Sequence, residues 1–168
     1  MNETALLERL AHRLWDERHV VTVLLYKLTV TRLLLAADER RFLPDALREV
    51  DHAVHLLRVG EQARETSVRE LAERWRLDPA DLTLERLART APPPFDHTFG
   101  DHLVAFRTLA AEVEGAAREN RLLARSDLDS VSQQLDLLTG TPAAPTIYDA
   151  QGHLDPGGPV GGRLREVL

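Results

Sequence analysis

A leucine-rich heptad pattern between Thr4 and Ala37 constrains the fold more than any other feature of the chain. Apolar residues recur every seven positions there, and a second, weaker set follows three residues after the first. The first set is Leu7, Leu14, Val21, Leu28 and Leu35, and the second is Leu10, Leu24 and Thr31, with Glu17 interrupting the row. Such spacing is typical of a helix that lies along other helices. Because the stretch contains neither Pro nor Gly, it predicts a rod of about 50 Å at 1.5 Å per residue.

Two further stretches carry the same pattern and are long enough to pack along the first. The second helix follows the charged segment 38–41, and Pro44 is compatible with its first turn. Its seam consists of Leu47, Val50, Val54, Leu57, Val68, Leu71 and Trp75, with Glu61 and Arg64 as polar members. The third helix runs from about Phe95 to Leu138. Its seam consists of Phe99, Phe106, Leu109, Val113, Ala116 and Leu123, with His102 and Asn120 as polar members. Gly60 weakens helix formation, so the second helix is expected to bend or fray there, or to meet solvent.

A short helix is predicted between the second and third long helices. Thr83 and its next three residues have capping-box spacing, and the segment 92–94, three prolines, ends the helix after Arg89. Together these elements predict an all-α antiparallel bundle of three long, coiled-coil-like helices, closed at one end by the short helix. The residues expected to be buried are Leu14, Val21, Leu28, Val54, Leu57, Phe106 and Val113. Leu28→Ala is then expected to cost about 2–5 kcal/mol.

The end of the chain differs in composition from the helical part. From Gly140 to Leu168 it is rich in Gly and Pro, and Ile147 with Tyr148 forms its one small apolar cluster. Such a segment buries too little apolar surface to fold by itself. The sequence therefore predicts a helical domain over residues 1–139 and a mostly disordered, flexible tail over residues 140–168.

Composition and charge argue against several classes of protein. The formal net charge is −6 with both signs interleaved, whereas a nucleic-acid surface needs a concentrated basic face. The absence of Cys excludes disulfides and thiolate metal sites. The N-terminus does not resemble a signal peptide. Residues 20–37 form the only candidate membrane span, but Lys27 and Arg32 would each cost roughly 2.5–3.5 kcal/mol in mid-bilayer. We therefore expect a cytoplasmic protein without a membrane span.

The motifs that could carry chemistry are weak. Glu49 and His52 have the Glu-x-x-His spacing of di-iron bundles, but no second such pair occurs on another long helix. His52 and His55 are expected to form a surface pair, with adventitious metal binding as the alternative. His102 is expected at the core or its rim, with a ligand or pH-switch role as the alternative. We predict neither a metal nor a cofactor, and no enzymatic activity.

Short sequences in a fixed order resemble actinobacterial FlgN-like proteins. They are 14–18 (LWDER), 24–28 (LLYKL), 33–37 (LLLAA), 48–50 (REV), 56–58 (LLR) with Glu61, 87–88 (LA) with 91–92 (AP), His102, 120–123 (NRLL) and 148–152 (YDAQG). The resemblance spans most of the chain. It departs from the family at Thr29 and Thr31, where more acidic sequence is expected, and at Asp38, where Gly is expected.

The resemblance implies a flagellar export chaperone that binds the hook–filament junction proteins FlgK and FlgL in the cytoplasm before their secretion. The export apparatus is a further candidate partner. The alternative is a coiled-coil adaptor or structural protein that self-associates through the same apolar stripe. The sequence leaves the oligomeric state open.

The expected client-binding surface is the late part of the third helix, which is predicted to extend past its partners by about 15 Å. Its residues are Asn120, Leu123, Leu128, Val131, Leu135 and Leu138. Two alternatives stay open. Asn120 can instead be a polar residue that sets the register inside the bundle. Ser126 and Asp127 can either lie inside a continuous helix or let the last segment fold back on the bundle.

Overall fold

The computed structural model describes the backbone of residues 2–139 and the side chains of residues 2–135. This part of the chain contains four helices, two short 3-10 turns and no strand. The helices are α1 (Glu3–Ala36), α2 (Leu43–Trp75), α3 (Leu84–Thr90) and α4 (Phe95–Thr139), and the 3-10 turns are Arg40–Phe42 and Pro79–Asp81. The predicted all-α fold, with three long helices and a short connecting helix, is confirmed. The tail lies outside the described residues, so its boundary at Gly140 and its disorder stay predictions.

Three contacts between side chains and one hydrogen bond from a side chain to a backbone carbonyl give the relative direction of the three long helices. Between α1 and α2, Glu17 contacts Arg64 and Lys27 contacts Glu49, so ascending positions on one helix meet descending positions on the other. Between α1 and α4, the pairs are Trp15 with His102 and Leu28 with Asn120, and here both numbers rise together. The helices therefore run up, down and up, as the short connections predicted.

The helix ends follow from local chemistry. The Thr83 hydroxyl accepts a hydrogen bond from the Arg86 amide at 3.2 Å, which caps the start of α3. Asp38 and Arg76, which follow α1 and α2, have left-handed backbones with φ of 55° and 57°. Glycine is the usual residue at such a position, which explains physically why glycine was expected where Asp38 stands. α4 is continuous through Ser126. This agrees with the alternative in which Ser126 and Asp127 lie inside a continuous helix.

The chain divides into two compact units, one ending at Ser126 and the other beginning at Asp127. The core of the first unit is concentrated at the end that α3 closes. It combines the first half of α1, the last turns of α2, α3 and the start of α4. Its buried members are Leu6, Leu7, Leu10, Leu14, Leu71, Ala72, Leu82, Leu87, Ala91 and Phe99.

The expected core was therefore only partly right. Of the seven residues expected to be buried, Leu14 is. The other six, Val21, Leu28, Val54, Leu57, Phe106 and Val113, are half-buried. The heptad pattern correctly identified the inward face of α1. On α2 the buried residues are Ala46, Ala53, Ser67, Leu71 and Ala72, and the predicted seam residue Leu47 is exposed. In addition, α3 supplies a fourth packing element only at its own end, so the inward faces are less covered farther along the bundle.

A buried ion pair lies between α1 and α2 in the middle of their contact. Glu17 is 7% exposed, and its Oε2 accepts a hydrogen bond from Arg64 Nε at 2.7 Å. Burial raises the pKa of Glu17 above 4.5, although Arg64 opposes this effect. Gly60 lies beside the pair, with space for a Cβ at 4.0 Å from Glu17 Cβ. α2 runs unbroken past Gly60, and the expected bend or weakening at this position stays a prediction.

By length and mean hydropathy, 1.5 over its most apolar window, α1 could cross a membrane. Its two cations in that region form ion pairs with the neighbouring helices. Lys27 Nζ lies 2.7 Å from Glu49 Oε2, and Arg32 lies 2.5 Å from Glu119 Oε2. Both cations therefore have carboxylate partners on neighbouring helices, and 11% of the apolar window is buried in the bundle.

Candidate functional site

The predicted client-binding stripe on α4 contains strongly exposed apolar side chains. Leu128 is 67% exposed and Leu135 is 54% exposed, while Leu123 and Val131 are half-buried. Leu128, Val131 and Leu135 are spaced three and four residues apart, so they share one helical face. The Leu138 side chain lies outside the described residues. This stripe has the composition and spacing of a helix-binding face, and its role stays a prediction.

Asn120, the first residue of the predicted site, contacts α1. Its Nδ2 donates a hydrogen bond to the Leu28 carbonyl at 3.0 Å, while its Oδ1 is buried without a hydrogen-bond partner in the described part of the chain. The nearby pair of Arg32 and Glu119 also joins α1 to α4. This arrangement supports the interpretation that Asn120 sets the register between two helices. It also leaves one buried acceptor unsatisfied among the described residues, which carries an energetic cost.

An apolar groove beside Asn120 was not predicted from the sequence. It has a volume of about 420 Å³ and lies between α1, α2 and α4. The groove is lined by Leu28, Thr31, Leu35, Leu43, Leu47, Val50, Ala117, Asn120, Arg121 and Ala124. Heptad spacing identifies the apolar face of each helix, but it does not show how far apart the helices sit. The small residues Ala117 and Ala124 were the available signal, because they leave space opposite the leucines of α1 and α2.

The outer face of α1 also exposes large apolar side chains that the sequence interpretation did not single out. Trp15, Tyr26 and Leu33 are exposed and are separated by eleven and seven residues, so they lie along one side of the helix. The Arg18 guanidinium stacks on the Trp15 ring at 4.3 Å. For Tyr26 and Leu33, the signal was that apolar residues occur on several sides of α1 after Val20, which in a bundle helix leaves apolar groups on the outside.

The residues considered for chemistry have other contacts or surroundings. Glu49 is paired with Lys27, and His52 and His55 are exposed. Among the residues that the structure describes, no group of three or more potential His, Asp or Glu ligands occurs.

His102 is an aromatic member of the core. It is 1% exposed, and its ring centroid lies 6.2 Å from that of Trp15 and 6.4 Å from that of Phe106. Neither ring nitrogen has a hydrogen-bond partner in the described part of the chain. Burial lowers the pKa of His102, and the positive charge of Arg18 lowers it further. Both effects favour the neutral imidazole in the folded state.

Comparison with known proteins agrees with the resemblance. A family model described as FlgN protein matches residues 1–156, which include every helix described above. No curated protein and no solved structure matches the chain. FlgN proteins are chaperones of flagellum assembly, and the family is not known for enzymatic activity. The extent of the match and the helical bundle together show that the chain belongs to the FlgN family.

Proposed function

We propose that this protein is a cytoplasmic export chaperone that binds the terminal amphipathic helix of a hook–filament junction protein of the FlgK or FlgL kind. The family supports the general role of a flagellar export chaperone. The observation that carries the choice of surface is the exposure of Leu128 on the late α4 stripe. An amphipathic helix commonly binds through its apolar face to a complementary apolar face.

The mechanism is masking. A terminal helix that packs against other subunits in the assembled flagellum would expose its apolar face before assembly, and exposed apolar faces promote aggregation. Covering that face with the α4 stripe keeps the client soluble until type III secretion. The export apparatus then receives the client from the complex.

The energetics fit reversible binding. Fully burying an exposed Leu or Val side chain contributes roughly 1.5–3 kcal/mol, and because Val131 is already half-buried, the three residues supply less than about 9 kcal/mol. Micromolar affinity corresponds to about 8 kcal/mol. Ordering the client helix and fixing its position reduce the total. Contacts beyond the stripe are therefore needed for tight binding, while an affinity near micromolar permits release at export.

The test is a triple substitution of Leu128, Val131 and Leu135 by Ser. We expect it to abolish capture of a co-expressed junction protein on size-exclusion chromatography while melting changes little. Leu122→Ser is the matched control, because Leu122 is 60% exposed on the same helix but off the stripe. If the triple variant melts far earlier and still binds the client normally per folded molecule, this stripe belongs to the core and the proposed surface is wrong.

The same preparation tests the alternative of a self-associating adaptor. Sedimentation of the isolated protein over a range of concentrations should give the mass expected of the chaperone alone. Concentration-dependent assembly that the triple substitution removes, combined with no client binding, would favour the adaptor.

A further inference from the structure

The groove beside Asn120 lies on a face of the bundle that continues to the opposite end, where the segment containing α3 covers it. Leu14 and Leu28 are two heptads apart on α1, and Leu47 and Val68 are three heptads apart on α2, so each pair shares a helical face. On α4, Asn120 likewise lies three heptads after Phe99. One continuous face of the bundle therefore includes both ends. We call the end that α3 closes the packed end, and the end that holds the groove the open end.

At the packed end, this face holds the segment that contains α3. Leu82 and Leu87 are 4% and 2% exposed, and both belong to the same buried cluster as Leu14. Val68 packs against that cluster from α2. Glu85 of α3 approaches Arg107 of α4 at 4.0 Å. A short amphipathic helix thus completes the core by docking on the three long helices.

At the open end, the same face has no such cover among the residues that the structure describes. Leu47 is 52% exposed at the groove, although seven of the ten lining residues are apolar. The Thr31 hydroxyl already donates to the Lys27 carbonyl at 2.9 Å. Leu28 to Leu35 spans about 10 Å of α1, which matches two turns of a docked helix.

The charges beside the groove specify the kind of helix that fits. Arg121 lines the groove, and Arg118 and Arg125 lie three and four residues away on α4. None of the three forms an ion pair with another residue of the described segment. Arg32 and Lys27, by contrast, are already paired with glutamates. The unpaired cations favour acidic residues at the edge of an incoming apolar stripe.

We propose that an amphipathic helix of the client, with acidic residues beside its apolar stripe, docks in this groove as α3 docks at the opposite end. The inference rests on the proposed function, since the helix is that of the flagellar client. The groove supplies contacts additional to those of the late α4 stripe.

The decisive variant is Leu47→Glu, which places a carboxylate at the groove without removing a buried group. Leu56→Glu is the matched control. Leu56 is 41% exposed and lies nine residues farther along α2, half a turn round from Leu47. We expect Leu47→Glu to weaken binding of a co-purified junction protein roughly ten- to hundredfold, and Leu56→Glu to leave it unchanged. Binding to the wild-type chain should also weaken as salt is raised.

A second variant keeps the test valid if Leu47→Glu fails to fold. Ala124→Leu fills the groove with an apolar side chain, so it should maintain or raise the melting temperature while still weakening client binding. Normal client binding by this variant and by folded Leu47→Glu, together with loss of binding in the α4-stripe variant, refutes the groove and leaves the proposed function standing. If the wild-type chain binds neither junction protein, the proposed function and this inference both fail.

Discussion

Truncating Leu10 and Leu28 separately should reveal how unevenly the bundle is packed. The two leucines lie on α1 eighteen residues apart, which is five full turns, so they point in the same direction from the helix. Leu10 is 1% exposed inside the cluster that α3 closes, whereas Leu28 is half-buried and lines the groove. The two substitutions therefore share the helix, the residue type and the helical face, and they differ in position along the bundle.

The expected costs differ because only one substitution creates an enclosed cavity. Leu10→Ala should lower the free energy of unfolding by about 3–5 kcal/mol, as in tightly packed cores. Leu28→Ala enlarges a groove that already meets solvent, so mainly the transfer free energy of its buried part is lost. We expect about 1–2 kcal/mol for Leu28→Ala, which is less than the sequence alone predicted for it.

Urea unfolding, monitored by far-ultraviolet circular dichroism, measures both free-energy costs. The comparison requires that the free energy of unfolding depends on urea concentration with the same slope in each variant. Binding of the junction protein should respond to the two substitutions in the reverse order. Leu28→Ala should weaken it, and Leu10→Ala should leave the affinity per folded molecule unchanged. Equal costs for the two substitutions would show that the groove is closed in solution, and would refute both the uneven core and the docking of a helix there.

Three further substitutions test individual side chains by thermal melting. His102→Phe removes a group with a lowered pKa, so the wild type should lose stability relative to this variant as pH falls through 6.5, where the unfolded chain takes up the proton; a pH-independent difference would contradict this. Glu17→Gln should show the opposite trend, because the folded state binds the proton of Glu17 more tightly than the unfolded chain does. The stability of the wild type relative to this variant should therefore rise as pH falls towards 4.5. A decrease in that relative stability would contradict the raised pKa. Arg76→Gly should stabilise by about 1 kcal/mol by relieving a left-handed backbone, and unchanged melting would mean that Arg76 has compensating contacts.

Local signals were sufficient to predict the helices. The absence of Pro and Gly in the first stretch gave α1, the capping residue Thr83 gave α3, and the prolines before Phe95 gave the start of α4. The up-down-up order followed from the short connections. These features depend on residues close in sequence, which a single chain displays directly.

The distribution of the core and the groove could not be predicted in the same way. Val21 and Leu28 satisfy the heptad pattern as well as Leu14 does, yet only Leu14 is fully buried. The difference comes from α3, which covers one end alone. Asn120 illustrates a second limit, because its spacing fitted both a contact within the bundle and a binding role. The hydrogen bond to Leu28 supports the first without testing the second.

The ion pair of Glu17 and Arg64 restricts how α1 and α2 can be aligned during folding. Two leucine seams with a repeat of seven can slide past each other by one heptad, about 10 Å, and still interdigitate. In such a slipped state, Arg64 would face Leu10 or Leu24, and its guanidinium would have to leave the interface or be buried without a carboxylate. Removing one partner of a buried pair costs about 3–5 kcal/mol. The polar interruption of the leucine pattern thereby makes one alignment more stable than its near-equivalents.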